Sequence, residues 1–177
     1  GGIKKYQWTA IPLALHGVVV KKDGTVVDVC IGEDTADPVV GITDLLIHLS
    51  AKQMGKKASE VIEGEDLNIL IGSMPLEGEE KDAVKANVLK LLKDTYNIEA
   101  EDFVSAEIEA VPAGAARDFG LDRSMVMGYG HDDRVCAYTS AVALFELKKT
   151  DRTAVCLLVD KEEIGSVGAT GMQSVFF

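Results

Sequence analysis

A continuous apolar run at residues 153–159 (TAVCLLV) leads directly into the charged sequence DKEEIGS at residues 160–166. An apolar run of this length is typical of a strand that is buried on both faces of a largely parallel sheet. Because ligands of open α/β sheets bind at the carboxyl ends of such strands, we expect Glu162 and Glu163 to lie at a binding edge. There, one carboxylate can hold a metal ion while the other takes a proton from a metal-bound water. The alternative is a solvated acidic loop.

The composition is that of a globular chain that can bury a core. Its 177 residues are 47% hydrophobic, with a mean hydropathy of +0.12, which predicts one domain, or a small domain plus part of another. No apolar segment reaches the roughly 18–20 residues that a membrane span needs. The N-terminus lacks the pattern of a secretory signal. The Gly-Gly opening and the Val-Phe-Phe end predict a piece of a longer protein.

The net charge of −11, without a basic cluster, makes nucleic acid and anionic membrane poor candidate partners. The three cysteines, Cys30, Cys136 and Cys156, lie in apolar sequence and show no paired spacing. An odd number of thiols, which we expect to be buried, favours a reducing cytoplasm over a disulfide scaffold.

Residues 17–111 are predicted to form a β-rich unit with one helix, entered through a connection at residues 1–16. The predicted elements are strands at residues 16–22, 25–30 and 67–72, a helix at residues 79–97 and a half-exposed antiparallel strand at residues 103–111. Asp23-Gly24 predicts a hairpin with a type I′ turn between the first two strands. The apolar stripe of the helix is expected to face the core.

His48 lies between Ile47 and Leu49 in this unit. A lone histidine between aliphatic residues is more often a packed core or interface residue than a catalytic one, and spacing alone leaves both interpretations open.

Residues 112–177 are predicted to belong to a domain of a different, α/β type. The apolar residues 135–149 predict a helix that is buried or sandwiched, because it has almost no polar face. Asp132 and Asp133 stand at its N-terminus, where capping is one interpretation. The glycine-rich residues 165–171 match neither a P-loop nor the dinucleotide pattern, so they more plausibly let the backbone approach a substrate closely.

Two stretches, GHDDR at residues 130–134 and DKEEIGSVGATGMQS at residues 160–174, resemble the zinc aminopeptidases of the aspartyl aminopeptidase and aminopeptidase I type. The likeness also reaches FGLDR at residues 119–123, the Ile47-His48-Leu49 segment and the opening glycines. It implies part of a mixed-sheet α/β dinuclear zinc peptidase domain, interrupted by an inserted β-barrel-like or β-sandwich-like dimerisation domain.

The resemblance also implies roles for four residues. Asp132 would bridge two zinc ions, Glu163 would be a terminal ligand of one zinc, and Glu162 would be the general base. His48 would enter the active site of a neighbouring subunit. The expected activity is the release of N-terminal, including acidic, amino acids from peptides by a cytoplasmic homo-oligomer, with dimers that could build a larger tetrahedral assembly. Cobalt or manganese could replace zinc.

Two departures from the family pattern accompany this likeness. The family's upstream His-x-Asp motif has no counterpart in this chain, and its remaining ligands would lie beyond Phe177. Where the family carries an Asp-Arg-Asp stretch, this chain has TAIP at residues 9–12. Since each zinc needs about four ligands, we expect the chain to be inactive alone. The competing hypotheses are a non-catalytic oligomerisation or binding module and, less favoured, a nucleotide-binding α/β domain.

Overall fold

The computed structural model describes residues 3–168 and 170–175. The chain divides into two compact units, one of residues 4–115 and one formed by the described parts of residues 1–3 and 116–177. The assignment of residues 17–111 to an inserted dimerisation domain, and of residues 112–177 to a catalytic domain, stays a prediction.

The first unit contains two antiparallel sheets and one long helix. Its elements are α1 (Lys5–Trp8), β1 (Leu13–Val20), β2 (Val26–Ile31), β3 (Gly41–Ile42), α2 (Ala51–Met54), β4 (Ile69–Leu70), α3 (Ala83–Tyr96) and β5 (Ala106–Pro112). Short 3₁₀ turns cover Gly64–Asp66 and Ala100–Ser105. The larger sheet has the order β2-β1-β5, and β3 pairs with β4.

Strand β1 is the centre of this unit, because it is paired along its length with β2 on one side and β5 on the other. It begins at Leu13, three residues before the predicted start, and Leu13 and Ala14 are fully buried. Val19 packs with Val29 of β2 and with Ile98 in the buried core. The residues predicted as a connection therefore contribute to the core, since β1 extends back into them.

The hairpin between β1 and β2 forms where it was predicted, but with a different turn. Gly24 has a left-handed φ of 84°, whereas Asp23 is not among the described residues with positive φ, so the turn is not type I′. Lys21 N donates to Thr25 O at 2.7 Å, so the loop between the two strands consists of the three residues 22–24. Within it, Gly24 N donates to Lys21 O at 2.9 Å. The Asp23 carboxylate accepts the Thr25 amide at 2.9 Å, and this Asx-type bond favours the longer loop.

Helix α3 lies within the predicted range, between left-handed residues Asp82 and Asn97. The prediction that its apolar stripe faces the core is confirmed at Tyr96, which packs against the core cluster of Val19, Val29 and Ile98. It is wrong at Val84 and Leu91, which are 36% and 56% exposed. The stripe residues Val84, Val88 and Leu92 line, with Ile71 and Phe103, an open apolar groove of about 660 Å³.

The second unit has few paired elements among its described residues. They are the hairpin of β6 (Arg117–Phe119) and β7 (Met125–Met127), which was not predicted, α4 (His131–Phe145) and a 3₁₀ turn at Glu162–Ile164. The mixed α/β content agrees with the predicted fold class, but the described residues show neither a mixed sheet nor a barrel or sandwich.

Residues 153–159 do not form the buried strand that was predicted. They are assigned no strand, and Val155 and Leu158 are 69% and 61% exposed. A strand needs neighbours for its N–H and C=O groups, and the described part of the chain places none beside this segment. Helix α4 was predicted to be buried, but its Tyr138 and Phe145 side chains are exposed. No other described segment covers these two side chains.

No helix among residues 3–168 and 170–175 is long and apolar enough to cross a membrane. The prediction of buried thiols is wrong for two of the three cysteines. All three are free, but Cys30 and Cys136 are exposed, and Cys156 is half-buried.

Gly17 of β1 provides a test of the close packing in the larger sheet. A Cβ added there would lie 2.0 Å from the backbone oxygen of Glu107 and 2.8 Å from Ile108 Cα on β5. Because backbone atoms cannot move aside cheaply, Gly17→Ala is expected to lower the free energy of unfolding by at least about 2 kcal/mol, measured by urea denaturation.

The matched control is Gly41→Ala in β3, where an added Cβ meets nothing within 4 Å. We expect this variant to change stability by no more than about 0.5 kcal/mol. Equal stabilities of the two variants would contradict the close contact between β1 and β5 at Gly17.

Candidate functional site

Asp132 and Asp133 stand at the entry of α4, outside its regular part. Asp132 (φ −90°, ψ 111°) and Asp133 (φ −115°, ψ 19°) have non-helical backbone angles, and the peptide bond between them is cis. No side chain makes a capping hydrogen bond at this end, so the capping interpretation is not supported. Both carboxylates are exposed. Arg134 turns back instead, and its Nη1 donates to Tyr129 O at 2.7 Å.

Cys136 lies three residues after Asp133, one helical turn along α4. The hydrogen bond that its thiol donates to the Asp133 carboxylate is the main cause that raises the Cys136 pKa above its ordinary value, and the charges of Asp133 and Asp132 act in the same direction. This contact was not predicted, although the three-residue spacing on a helix places the two side chains on one face.

Glu162 and Glu163 occupy a 3₁₀ turn that follows the exposed segment 153–159. The turn is bounded by two left-handed residues, Lys161 (φ 67°) and Gly165 (φ 93°), and both glutamates are exposed. The two adjacent carboxylates therefore lie in one short turn on the exposed part of this unit. Adjacent carboxylates at a turn can serve as a metal ligand and a proton acceptor.

Asp160 fixes the start of this turn and does not act as a free carboxylate. Its oxygens accept the Lys161 amide at 2.7 Å and the Thr170 hydroxyl at 3.5 Å, and the Lys161 ammonium lies 3.3 Å away. The hydrogen bond from the Lys161 amide, followed by the other contacts of Lys161, lowers the Asp160 pKa below its ordinary value. Asp160 therefore stays ionised and holds the backbone that leads into Glu162.

The glycine-rich segment folds back onto the same turn. Gln173 Nε2 donates to Gly165 O at 2.7 Å, and Gln173 N donates to Ser166 O at 3.1 Å. Sequence reasoning did not single out Gln173, because hydrogen bonds to backbone carbonyls leave no pattern of residue types.

His48 belongs to the other unit, in a turn within the exposed segment 45–49 (LLIHL). Ile47 and Leu49 on either side are 65% and 67% exposed. Leu49 N donates to Leu46 O at 2.9 Å, which closes the turn. The packed-core interpretation of His48 is therefore wrong, whereas the interface and catalytic interpretations stay predictions.

A zinc site requires about four nitrogen, oxygen or sulfur ligands. Asp132 and Glu163 are oxygen donors of a suitable type, and both are exposed. Among residues 3–168 and 170–175, however, no three His, Cys, Asp or Glu side chains group so that they could hold a metal ion. The side chains present fit part of a zinc site but not a complete one.

The whole chain is similar to known proteins. All 177 residues match the model of a family described as aminopeptidase I zinc metalloprotease (M18). A probable M18 family aminopeptidase 1 from Clostridium acetobutylicum is 67% identical over 178 residues, covering 100% of this chain and 38% of that protein. The chain thus spans 38% of the length of this relative.

Solved structures agree with this likeness. The crystal structure of aminopeptidase I from Clostridium acetobutylicum matches with a TM-score of 0.85 at 66% identity, over 97% of this chain and 38% of that chain. An M18 family aminopeptidase from Thermotoga maritima matches with a TM-score of 0.89 at 50% identity, over 99% of this chain and 38% of that chain.

The contact between Cys136 and Asp133 predicts slow alkylation of this thiol. Because the raised pKa leaves less thiolate at pH 8, iodoacetamide should modify Cys136 more slowly in wild type than in Asp133→Asn, which removes the negative charge. Peptide mass spectrometry of the metal-free 177-residue chain measures the rate at each cysteine. Cys30, exposed in the other unit, is the internal control and should react equally fast in both proteins. An unchanged Cys136 rate in the variant would contradict the contact.

Proposed function

The chain belongs to the aminopeptidase I (M18) family of zinc metalloproteases, and we propose that it supplies part of the active site of a zinc-dependent aminopeptidase. The intact protein would release N-terminal amino acids from peptides, and acidic residues are the first substrates to assay. The observation that carries this proposal is the pair of exposed carboxylates at Glu162–Ile164, in the same unit as the exposed Asp132, in a chain that matches the family over its whole length.

We assign the roles residue by residue. Asp132 would hold zinc as a carboxylate shared by two ions, and Glu163 would be a terminal ligand of one of them. Glu162 is the general base. The position of Glu162 and Glu163 side by side in one exposed 3₁₀ turn supports this division, because adjacent carboxylates can serve as a metal ligand and a proton acceptor.

Zinc, when bound, supplies Lewis acidity that polarises the scissile carbonyl of the peptide. The chain's own contribution is to place a proton acceptor, the Glu162 carboxylate, beside the reacting groups. An exposed glutamate can accept a proton from water and return it to the leaving amine, which is the work of a general base and acid. The ligands that complete the zinc site are proposed to come from parts of the protein outside these 177 residues, and the chain alone is proposed to be inactive.

The fold of the intact enzyme follows from the same proposal. Residues 17–111 would form the inserted β-barrel-like or β-sandwich-like dimerisation domain, and residues 112–177 would form part of a mixed-sheet α/β catalytic domain. The unpaired apolar residues 153–159 support this, since a buried strand of a larger sheet has this composition. We propose a cytoplasmic homo-oligomer of dimers, which could assemble further into a tetrahedral particle.

His48 is proposed to act in the active site of a neighbouring subunit. The exposed aliphatic residues around it support this role, because covering exposed apolar side chains with a partner stabilises the complex. The same exposure favours the second candidate function, an oligomerisation module without catalysis. The two candidates differ in whether Glu162 is needed for peptide hydrolysis.

Glu162→Gln in the full-length protein tests the catalytic proposal. The amide keeps the size of the side chain but cannot accept a proton, so kcat is expected to fall by a factor of about 10² or more while zinc content stays near that of wild type. Release of N-terminal amino acids from peptides and zinc content per subunit are the measurements. Glu80→Gln, which changes an exposed glutamate of the other unit in the same way, should leave kcat unchanged. Hydrolysis by Glu162→Gln at a rate near wild type would remove Glu162 from the mechanism.

His48→Phe tests the contribution across subunits and should lower turnover in the assembled protein. In a two-fold dimer with shared sites, mixing His48→Phe subunits with Glu162→Gln subunits restores about a quarter of the wild-type sites, since each mixed dimer contains one intact site. Activity assays before and after subunit exchange measure this recovery. If the mixed dimers recover no activity, His48 does not act on its neighbour. The same conclusion follows if His48→Phe lowers the activity of an isolated subunit as much as that of the assembled protein.

A further inference from the structure

The two proposed active-site glutamates lie in a turn whose backbone is unusual. Three residues around them are left-handed, namely Lys161 (φ 67°), Gly165 (φ 93°) and Ser166 (φ 59°). This conformation is unfavourable for residues that carry a Cβ, so Lys161 and Ser166 hold it only where other contacts fix the backbone. Two backbone bonds close the turn from within, Gly165 N to Glu162 O at 2.9 Å and Ser166 N to Lys161 O at 2.8 Å, and contacts from residues 170–173 add to them.

Gln173 makes two such contacts. Its side-chain Nε2 donates to the carbonyl oxygen of Gly165 at 2.7 Å, and its backbone N donates to the carbonyl oxygen of Ser166 at 3.1 Å. Both acceptors belong to the left-handed residues that follow the glutamates. Because a carbonyl oxygen can only accept, the side-chain bond requires an N–H donor, which glutamine provides and an ionised glutamate or a methionine does not.

The close approach of Gly171 to the backbone of residues 166 and 167 is a second, independent observation. Gly171 is buried, and a Cβ added to it would lie 2.2 Å from Ser166 O and 2.8 Å from Val167 O. The Thr170 hydroxyl also donates to the Asp160 carboxylate at 3.5 Å. Residues 170–173 thus pack directly against the segment that carries the glutamates. Within this contact, the Gln173 side chain bonds to Gly165, the residue that follows the 3₁₀ turn.

We propose that Gln173 is a positioning residue, which orients Glu162 and Glu163 by holding the carbonyl groups of Gly165 and Ser166. The proposal rests on the proposed role of Glu162 as the general base. Proton transfer requires the carboxylate within hydrogen-bonding distance of the reacting water, and a displacement of about 1 Å can lower turnover a hundredfold. Without the Gln173 bond, the turn relaxes from its left-handed boundaries and the carboxylates move.

Gln173→Met in the full-length, zinc-loaded protein tests the proposal, because methionine has a similar length but no donor. We expect kcat to fall at least about tenfold with KM within about twofold of wild type, since the substrate is still bound but the base is misplaced. Zinc content and melting temperature are measured on the same samples. Gln173→Glu, which keeps the shape and also removes the donor at neutral pH, should show the same loss of kcat.

Asn87→Leu is the matched control. Asn87 Nδ2 donates to Met74 O at 3.1 Å in the other unit, so this variant also removes one bond from a side-chain amide to a backbone carbonyl. It should leave both kcat and KM unchanged. Wild-type kcat in Gln173→Met and Gln173→Glu would overturn the proposal. A loss of activity in proportion to lost zinc or lost folding in both variants would also overturn it, because Gln173 would then be only structural.

The Glu162→Gln variant separates failure of this inference from failure of the proposed function. If Glu162→Gln abolishes hydrolysis while both Gln173 variants keep wild-type kcat, the positioning role alone is wrong. If Glu162→Gln keeps wild-type activity, the assignment of the base fails, and any effect of Gln173 cannot act through it.

Discussion

The pairing of backbone N–H and C=O groups determines which apolar segments of this chain are covered. Strand β1 is bonded on one side to β2 and on the other to β5, and Leu13, Ala14 and Val19 on it are fully buried. Residues 153–159 are equally apolar but have no strand beside them among the described residues, and Val155 stays 69% exposed. Composition is similar in the two segments, so the presence of bonded neighbours accounts for the difference.

This constraint explains how much of the fold the sequence could predict. The hairpin of β1 and β2 and the alternation of Ala106, Ile108 and Ala110 on β5 were predictable, because all three strands and their partners lie within the chain. The exposure of apolar residues on α3 and α4 was not predictable, since an apolar face shows that a surface can be covered but not which segment covers it. The hairpin of β6 and β7 was missed because strands of three residues are too short to show an alternating pattern.

The candidate site also contains features that the sequence could predict and features that it could not. Asp132, Glu162 and Glu163 could be selected from residue type, position after an apolar run and resemblance to a family. The hydrogen bonds beside them could not, because Gln173 donates to a backbone carbonyl and the Cys136 thiol donates to Asp133, the neighbour of Asp132. Such contacts depend on loop closure, as at Gly171, and nothing in the order of residue types determines how a loop closes.

The exposure of the carboxylates has a further physical consequence. Asp132 and Glu163 are held on separate segments, one at the start of α4 and one in a 3₁₀ turn, and each segment is ordered by contacts of its own. Metal sites usually combine binding with folding, so that part of the binding free energy is used to order the ligands. Here hydrogen bonds of Asp160 and Gln173 hold the turn that carries Glu163. In the proposed enzyme, a ligand held by such protein contacts would need less of the binding free energy of zinc for its ordering.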